Sequence, residues 1–374
     1  MTVTSADQTF AVVTGGGTSG HVLPALAVAD ALTAAGHQSS TIRYVGAARG
    51  VETRLLPDTP YPHEFLDVVG VQRRLTRANL GFVPKMIRST RTAVALLRQW
   101  QPRVVVSVGG YASMPSVFAA RRLGIPVVVV SYDRTPGRAS RLAARNAAAC
   151  AVSFEQSPLP RAEVTGAPVR QAILDVDRSS GAQRTAARRD LGLDPERFVV
   201  AVMGGSLGSG VLNEAVASYV TDHRNDAELA VRQIAGERFA SGIDEVVGAV
   251  QHQVVAYEND MAAVYTACDL VIGRGGASTV HEVAVTGTPS ILVPWAASAD
   301  DHQSDNVAWL SEVGGAVLLR EHDIDRLADT IESLRADDAR RADLARAASR
   351  RGEIHRSGAL AGLIERVALT STPS

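Results

Sequence analysis

His21 stands directly after Gly15-Gly16-Gly17-Thr18-Ser19-Gly20, between the apolar run FAVVT (10–14) and the Ala- and Leu-rich run PALAVADALTAAG (24–36). A glycine turn from a buried strand into a helix leaves backbone N–H groups unpaired beside the positive end of the helix dipole, which suits a phosphate. An imidazole there is a candidate general base, because its ordinary pKa lies near neutrality. The helix start is expected to disfavour the protonated ring. A packing or capping histidine on a tight turn that binds nothing would have the same sequence. His37 and His63, by contrast, lie in stretches that read as surface turns. A second turn of the same kind, Gly204-Gly205-Ser206-Leu207-Gly208-Ser209-Gly210, follows RFVVAVM (197–203). Neither continues as Gly-Lys-Ser/Thr, so neither is a P-loop, and His21 departs from a dinucleotide fingerprint. Two such turns heading two successive series of elements favour an anionic ligand between two domains.

Two further groups could do chemistry. The strand-like DLVIGR (269–274) leads into Gly275-Gly276-Ala277-Ser278-Thr279 and then Glu282, expected on the first turn of a helix. Small residues let a ligand approach the backbone, and a carboxylate can accept two hydrogen bonds from vicinal hydroxyls such as a ribose diol. It would equally favour the helix dipole with no ligand present. After PSILVPW (289–295) comes Asp300-Asp301-His302-Gln303-Ser304-Asp305-Asn306, rich in hydrogen-bonding side chains at the end of a strand, where open α/β sheets bind ligands. No second histidine or carboxylate pair stands at ligand spacing, so no metal site is expected there. Asp175-Val176-Asp177 and Asp323-Ile324-Asp325 read as solvated.

These groups need parallel sheets to position them. Besides the runs already quoted, TIRYVG (41–46), RVVVSVG (103–109), IPVVVVS (125–131), ELAVRQIAG (228–236) and HQVVAYE (252–258) are short, β-branched and apolar on both faces. Helical stretches separate them, so α/β sheets covered on both sides are expected. A chain of 374 residues exceeds one ordinary core, and two domains follow. The polar run DRSSGAQRTAARRDLGLDPER marks the boundary. The expected division is 1–170 as the first domain, 171–197 as a linker with a short helix, 198–350 as the second domain, and 351–374 as a C-terminal helix returning to the first.

Cys150 and Cys268 sit among small apolar residues, as buried hydrophobes of a reducing compartment do. With no leader-like start and no long apolar run, a cytoplasmic protein is expected. Residues 1–170 hold 19 of the 38 Lys and Arg but only 9 of the 39 Asp and Glu. The first domain should therefore meet an anionic partner. The basic residues lack interleaved aromatics or a nucleic-acid module, so lipid or a pyrophosphate-bearing acceptor is expected, and not nucleic acid. In the stretch Leu75 to Trp100 and just before it, Leu75, Leu80, Phe82, Val83, Met86 and Ile87 combine with Arg73, Arg74, Arg77, Lys85, Arg88 and Arg91. That mixture fits an anionic membrane surface, and it fits an ordinary amphipathic core helix too.

The segments GGGTSGHVLPALAVADAL (15–32), VGGYASMPSVFAARRLGIPVVV (108–129), EVTGAPVR (163–170), GGSLGSGVLNEAV (204–216), the stretch 257–294 and DDHQSDN (300–306) together resemble the MurG family of peptidoglycan glycosyltransferases. The likeness runs in order from about residue 10 to 335, and RGGASTVHE followed by DHQxxN is its most specific part. It implies the GT-B fold, two Rossmann-like domains with parallel sheets facing each other across a cleft, the acceptor domain first and the donor domain second. It also implies transfer of N-acetylglucosamine, with inversion, from UDP-N-acetylglucosamine to undecaprenyl-pyrophosphoryl-muramoyl-pentapeptide. No cofactor is implied, and the site would lie at the inner face of the cell membrane.

By that resemblance His21 is the catalytic base, and Thr18, Ser19 and Gly20 lie by the donor phosphates and reactive sugar. Arg170 and Ser206 match pyrophosphate contacts, and the chain around Glu258 and Met261 borders the uracil. Ala277, Ser278 and Thr279 surround the nucleotide, and Glu282 holds the ribose. His302 and Gln303 contact the sugar, Asn306 completes their motif, and Tyr111 faces the cleft from the acceptor side. The chain departs from the family at 130–133, where Val130-Ser131-Tyr132-Asp133 replaces the usual His-Glu-Gln-Asn. Asp133 can still accept a hydrogen bond where Asn would sit and is counted with the donor-side residues. A histidine and a carboxylate are gone from the acceptor side, so a different lipid or a secondary metabolite is an alternative acceptor.

Overall fold

The computed structural model describes residues 8–68, 82–205, 208–298 and 302–370. The chain forms two compact units, Met1–Gln171 with Ser357–Ser374, and Ala172–Arg356.

The first unit is a seven-stranded, wholly parallel sheet: β1 (Ala11–Thr14), β2 (Ile42–Ala47), β3 (His63–Leu66), β4 (Val104–Ser107), β5 (Val127–Ser131), β6 (Ala149–Val152) and β7 (Ala162–Val164), in the order β3-β2-β1-β4-β5-β6-β7. β1, β4, β5 and β6 are buried along their whole length, as their runs of Val and Ala require in a sheet covered on both faces. Val12, Val105, Val129 and Cys150 form the core with Leu97 and Val117 from the helices Phe82–Trp100 and Met114–Leu123. β1 pairs with β2 on one side and β4 on the other, Ala11 standing opposite both Ile42 and Val104. The strand order reverses there, and ligands of open α/β sheets bind beyond such a reversal. His63 begins β3 instead of a turn, and β6 and β7 had no clear sequence signal.

The second unit repeats the scheme with six parallel strands: β8 (Phe198–Met203), β9 (Leu229–Ile234), β10 (Gln251–Val255), β11 (Leu270–Arg274), β12 (Ser290–Val293) and β13 (Val317–Leu318), ordered β10-β9-β8-β11-β12-β13. Its reversal falls between β8 and β11, and Val200, Val202, Ile272 and Ile291 centre its core.

The segment 171–197 is not a linker. It carries the helices Gln171–Leu174 and Gly181–Asp190, the latter capped by the Ser180 hydroxyl, which accepts from Gln183 N–H. Buried Arg188 fixes it to the second unit by donating from Nε to Ala267 O at 2.8 Å and from Nη2 to Asp269 Oδ2 at 2.7 Å. Arg178 Nη2 donates to Cys268 O at 2.8 Å. Arg178 and Arg188, which help make the run polar, are its anchors. The helix Ala359–Thr370 lies in the first unit, where Glu365 meets His37 Nε2 at 2.9 Å and Arg366 pairs with Glu163.

Candidate active site

At the end of β1 the glycine turn is held by a side chain from elsewhere. Glu52 is fully buried, and its Oε1 accepts from Ala47 N–H at 2.7 Å and Gly17 N–H at 3.1 Å. Gly17 has φ +95, and a Cβ there would sit 2.7 Å from the Tyr111 ring. The turn after β4 presses on the first one from the other side. Gly110, φ +77, would bring a Cβ within 2.5 Å of Gly16 O and 3.0 Å of His21 Cδ2. Only glycine lets these two loops and the imidazole pack together.

His21 is the third residue of the helix Ser19–Ala34, whose first turn carries no acidic side chain. Its Nδ1 lies 3.1 Å from the Tyr132 hydroxyl, which donates to Gly20 O. Burial is the main cause that lowers the His21 pKa below its usual value, against the opposing pull of the Asp133 and Glu52 carboxylates. Desolvation thus favours the neutral ring. His21, Thr18, Tyr111, Tyr132, Asp133 and Arg138 line a cavity of about 320 Å³ within the first unit. Thr18 is the exposed N-cap residue, with Ser19 and Gly20 following. Arg170 stands close enough to Asp30, late in the same helix, to favour its carboxylate, although burial outweighs this and raises the Asp30 pKa.

In the second unit, Ser206 lies outside the described residues, as do Asp300 and Asp301. The next serine, Ser209, caps the helix Gly210–Asp222, accepting from Leu212 N–H at 3.3 Å and receiving Arg274 Nη2 at 2.6 Å. Arg274 is buried at the end of β11 and pairs with Glu321 at 3.2 Å. Gly276 is the N-cap of the helix Ala277–Thr286, so Ala277, Ser278 and Thr279 form its first turn. Glu282 is the sixth residue, on the second turn and not the first. A dipole role fades beyond the first turn. Instead the hydroxyl of fully buried Tyr265 donates to Glu282 Oε2 at 3.0 Å, aiming the carboxylate from the neighbouring helix Met261–Ala267.

Three expected contacts have structural duties as well. Glu258 Oε2 is held by Arg232, at 2.6 Å from Nη2 and 3.0 Å from Nε, so its chain can offer a base mainly backbone. Met261 opens the helix that Asp260 caps. Gln303 Oε1 accepts from Trp295 N–H at 2.9 Å, while fully buried Asn306 donates from Nδ2 to Gly275 O at 3.3 Å. His302 begins the helix His302–Ser311 that carries both. The structure therefore packs Gln303 and Asn306 against Gly275, with His302 at the start of their helix.

Residues 11–152 match the glycosyltransferase family 28 N-terminal domain and residues 199–358 its C-terminal domain. A UDP-N-acetylglucosamine–N-acetylmuramyl-(pentapeptide) pyrophosphoryl-undecaprenol N-acetylglucosamine transferase of a Nocardioides species is 38% identical over 90% of this chain and 92% of its own length. The chain belongs to the MurG family. The Clavibacter sepedonicus relative of the same name is 36% identical over 98% of both MurG-family chains. The crystal structure of Acinetobacter baumannii MurG matches with a TM-score of 0.69 at 24% identity, covering 96% of this chain and 99% of that one. The two parallel-sheet units are those of the GT-B-like MurG fold.

Four residues of this candidate site were not read as functional in the sequence: Glu52, Tyr132, Tyr265 and Arg274. Each acts through a partner 17 to 111 positions away, as Tyr265 does on Glu282 and Tyr132 on His21. Only Tyr132 stood out, as a departure from the family pattern, and that departure marked it as a loss.

Proposed function

We propose that the protein transfers N-acetylglucosamine from UDP-N-acetylglucosamine to undecaprenyl-pyrophosphoryl-muramoyl-pentapeptide, inverting the anomeric carbon. The observation that carries the reading is the relatives of that name that match nearly end to end. Both glycine turns and the Glu282–Tyr265 pair support it.

Glu282 would accept from the ribose hydroxyls, and the backbone at 257–261 would meet the uracil. The start of the helix Gly210–Asp222 would stabilise the charge that builds on the leaving diphosphate, with Ser206 and Arg170 adding contacts. His302, Gln303 and the Thr18–Gly20 turn would orient the sugar. The acceptor hydroxyl attacks the anomeric carbon as the bond to UDP breaks, and His21 Nε2 takes the hydroxyl proton. Tyr111 would border the acceptor beside it, and Asp133 would face the donor. Incubation with UDP-N-acetylglucosamine and the lipid-linked muramoyl-pentapeptide should give UDP and a β-linked disaccharide lipid. Epimerised UDP-sugar formed without acceptor would refute transfer. Turnover only with another lipid or a small-molecule acceptor would favour the second reading, which Tyr132 and Asp133 in the cavity wall support.

We place the enzyme on the inner face of the cell membrane. No helix among the described residues is long and apolar enough to cross a bilayer. Of the stretch Leu75 to Trp100, residues 75–81 lie outside the described ones. On the helix Phe82–Trp100, exposed Ile87 joins Met86, Arg91, Arg98, Phe118 and Arg122 around a shallow groove of about 660 Å³. Such a mixture suits anionic headgroups above acyl chains. The protein should sediment with anionic vesicles at low salt, and charge reversal at Arg74, Arg77 and Lys85 should abolish this; unchanged sedimentation would remove the assignment.

A further inference from the structure

The helix Ser19–Ala34 contains Pro24. A proline has no N–H, so the carbonyl four residues back, that of Gly20, lacks its ordinary helical donor. Tyr132, at the end of β5 and 112 positions away in sequence, supplies one: its hydroxyl donates to Gly20 O. A phenol has one proton. With that proton committed to Gly20, the oxygen can only accept from His21 Nδ1, which lies 3.1 Å away.

From this geometry we infer that Tyr132 is a positioning residue for His21, fixing the imidazole as the Nδ1–H tautomer and leaving the Nε2 lone pair free for a proton. The inference rests on the reading of His21 as the base. The ring orientation is constrained on its other side by Gly109 and Gly110, where added Cβ atoms would lie 3.6 Å from His21 Cε1 and 3.0 Å from Cδ2. The other ionisable groups facing this environment are Glu52, Asp133, Tyr111 and Arg138. The hydrogen bond made by one ring nitrogen decides which nitrogen carries the proton. A base needs an orienting third group of this kind. At the departure from the usual Gln at 132, the chain thus carries an Nδ1 acceptor tied to the carbonyl that Pro24 frees.

The test uses the full-length protein with ¹⁵N-labelled histidines, His21 being assigned by the signal lost in His21→Gln. Above pH 7.5 the wild type should show a protonated Nδ1 and an unprotonated Nε2. Tyr132→Phe, which keeps the ring and removes the hydroxyl, should shift His21 toward Nε2–H. It should lower kcat on the order of tenfold with donor KM little changed. Tyr132→Gln should restore both, since an amide can donate to Gly20 O and accept from Nδ1. An Nε2–H signal in the wild type would overturn the inference, and so would an unchanged tautomer in a folded Tyr132→Phe. A tautomer that switches while kcat stays normal would instead overturn the reading of His21 as the base.

Discussion

Glu52 makes a quantitative test of how the catalytic turn is held. Its carboxylate has no solvent exposure, and the two N–H groups it receives, Ala47 and Gly17, tie β2 to the turn that precedes His21. Hydrogen bonds to a charged group contribute about 1.5 to 3 kcal/mol each, and neutral ones about 0.5 to 1.5. Glu52→Gln keeps the shape and one oxygen but loses the charge, so two bonds should together weaken by about 2 to 3 kcal/mol. Glu52→Ala leaves two buried N–H groups without acceptors, about 1 to 3 kcal/mol each, plus an unfilled cavity. The residues bordering the Glu52 side chain include Gly16, Gly46 and Gly50, which have no side chains to collapse into the space. The two units can unfold separately, so the assay must report on the first alone. Trp100 is its only tryptophan; with Trp295 and Trp309 replaced by Phe, urea unfolding followed at Trp100 isolates that transition. Its midpoint should fall in the order wild type, Gln, Ala, and kcat should fall with it as Gly17 and Thr18 shift. Equal midpoints for wild type and Glu52→Gln would show that the charge does not hold the turn.

Other outcomes are equally direct. Glu282→Ala should weaken UDP binding by about 1.5 to 3 kcal/mol and Tyr265→Phe by about 0.5 to 1.5, the ranges for a charged and a neutral hydrogen bond; calorimetry showing wild-type affinity for a folded Glu282→Ala would sink the ribose assignment. His21→Ala should lower kcat by about 10² to 10⁴, and because the neutral ring is the active form and burial lowers its pKa, the acid limb of the wild-type kcat profile should lie below pH 6.5. A limb above pH 6.5 would contradict this. His355 is buried beside His281 and its pKa is pushed down to about 2, chiefly by desolvation, so the unfolded chain takes up a proton below pH 6.5 that the folded one refuses. Stability of the second unit should therefore be complete above pH 6.5 and fall by about 2 kcal/mol by pH 5, a loss His355→Gln should remove in urea titrations followed at Trp309.

The parallel-sheet architecture and the two glycine turns were legible because their causes are local. A run such as VVVV has to be buried on both faces, and a turn from strand to helix that leaves its N–H groups free needs small residues in sequence. His21 and Glu282 were singled out from the same short windows. What the windows could not show is what aims them. The helix start before Glu282 falls earlier than the motif suggested, because Gly276 caps it and Ala277–Thr279 already form its first turn, and the carboxylate's partner Tyr265 belongs to the preceding helix. Asn306, read as the end of a sugar-contacting motif, is buried and spends its amide on Gly275 O, so part of that motif serves the turn.

The polar segment 171–197 misled for a related reason. Charge in a sequence does not reveal whether a guanidinium is solvated or satisfied, and Arg188 is satisfied by Ala267 O and Asp269, both brought near by the pairing of β11 beside β8. Tyr132 carries the point furthest. Compared position by position with a family pattern, Val130-Ser131-Tyr132-Asp133 reads as a deletion of functional groups. Placed by the topology, with β4 between β5 and β1, the same tyrosine reaches the first turn of the helix after β1 and finds a carbonyl that Pro24 has left without a donor. A departure from pattern was legible as a change at the site, but whether it removes a function or rebuilds one depends on which backbone groups the fold leaves unpaired beside it.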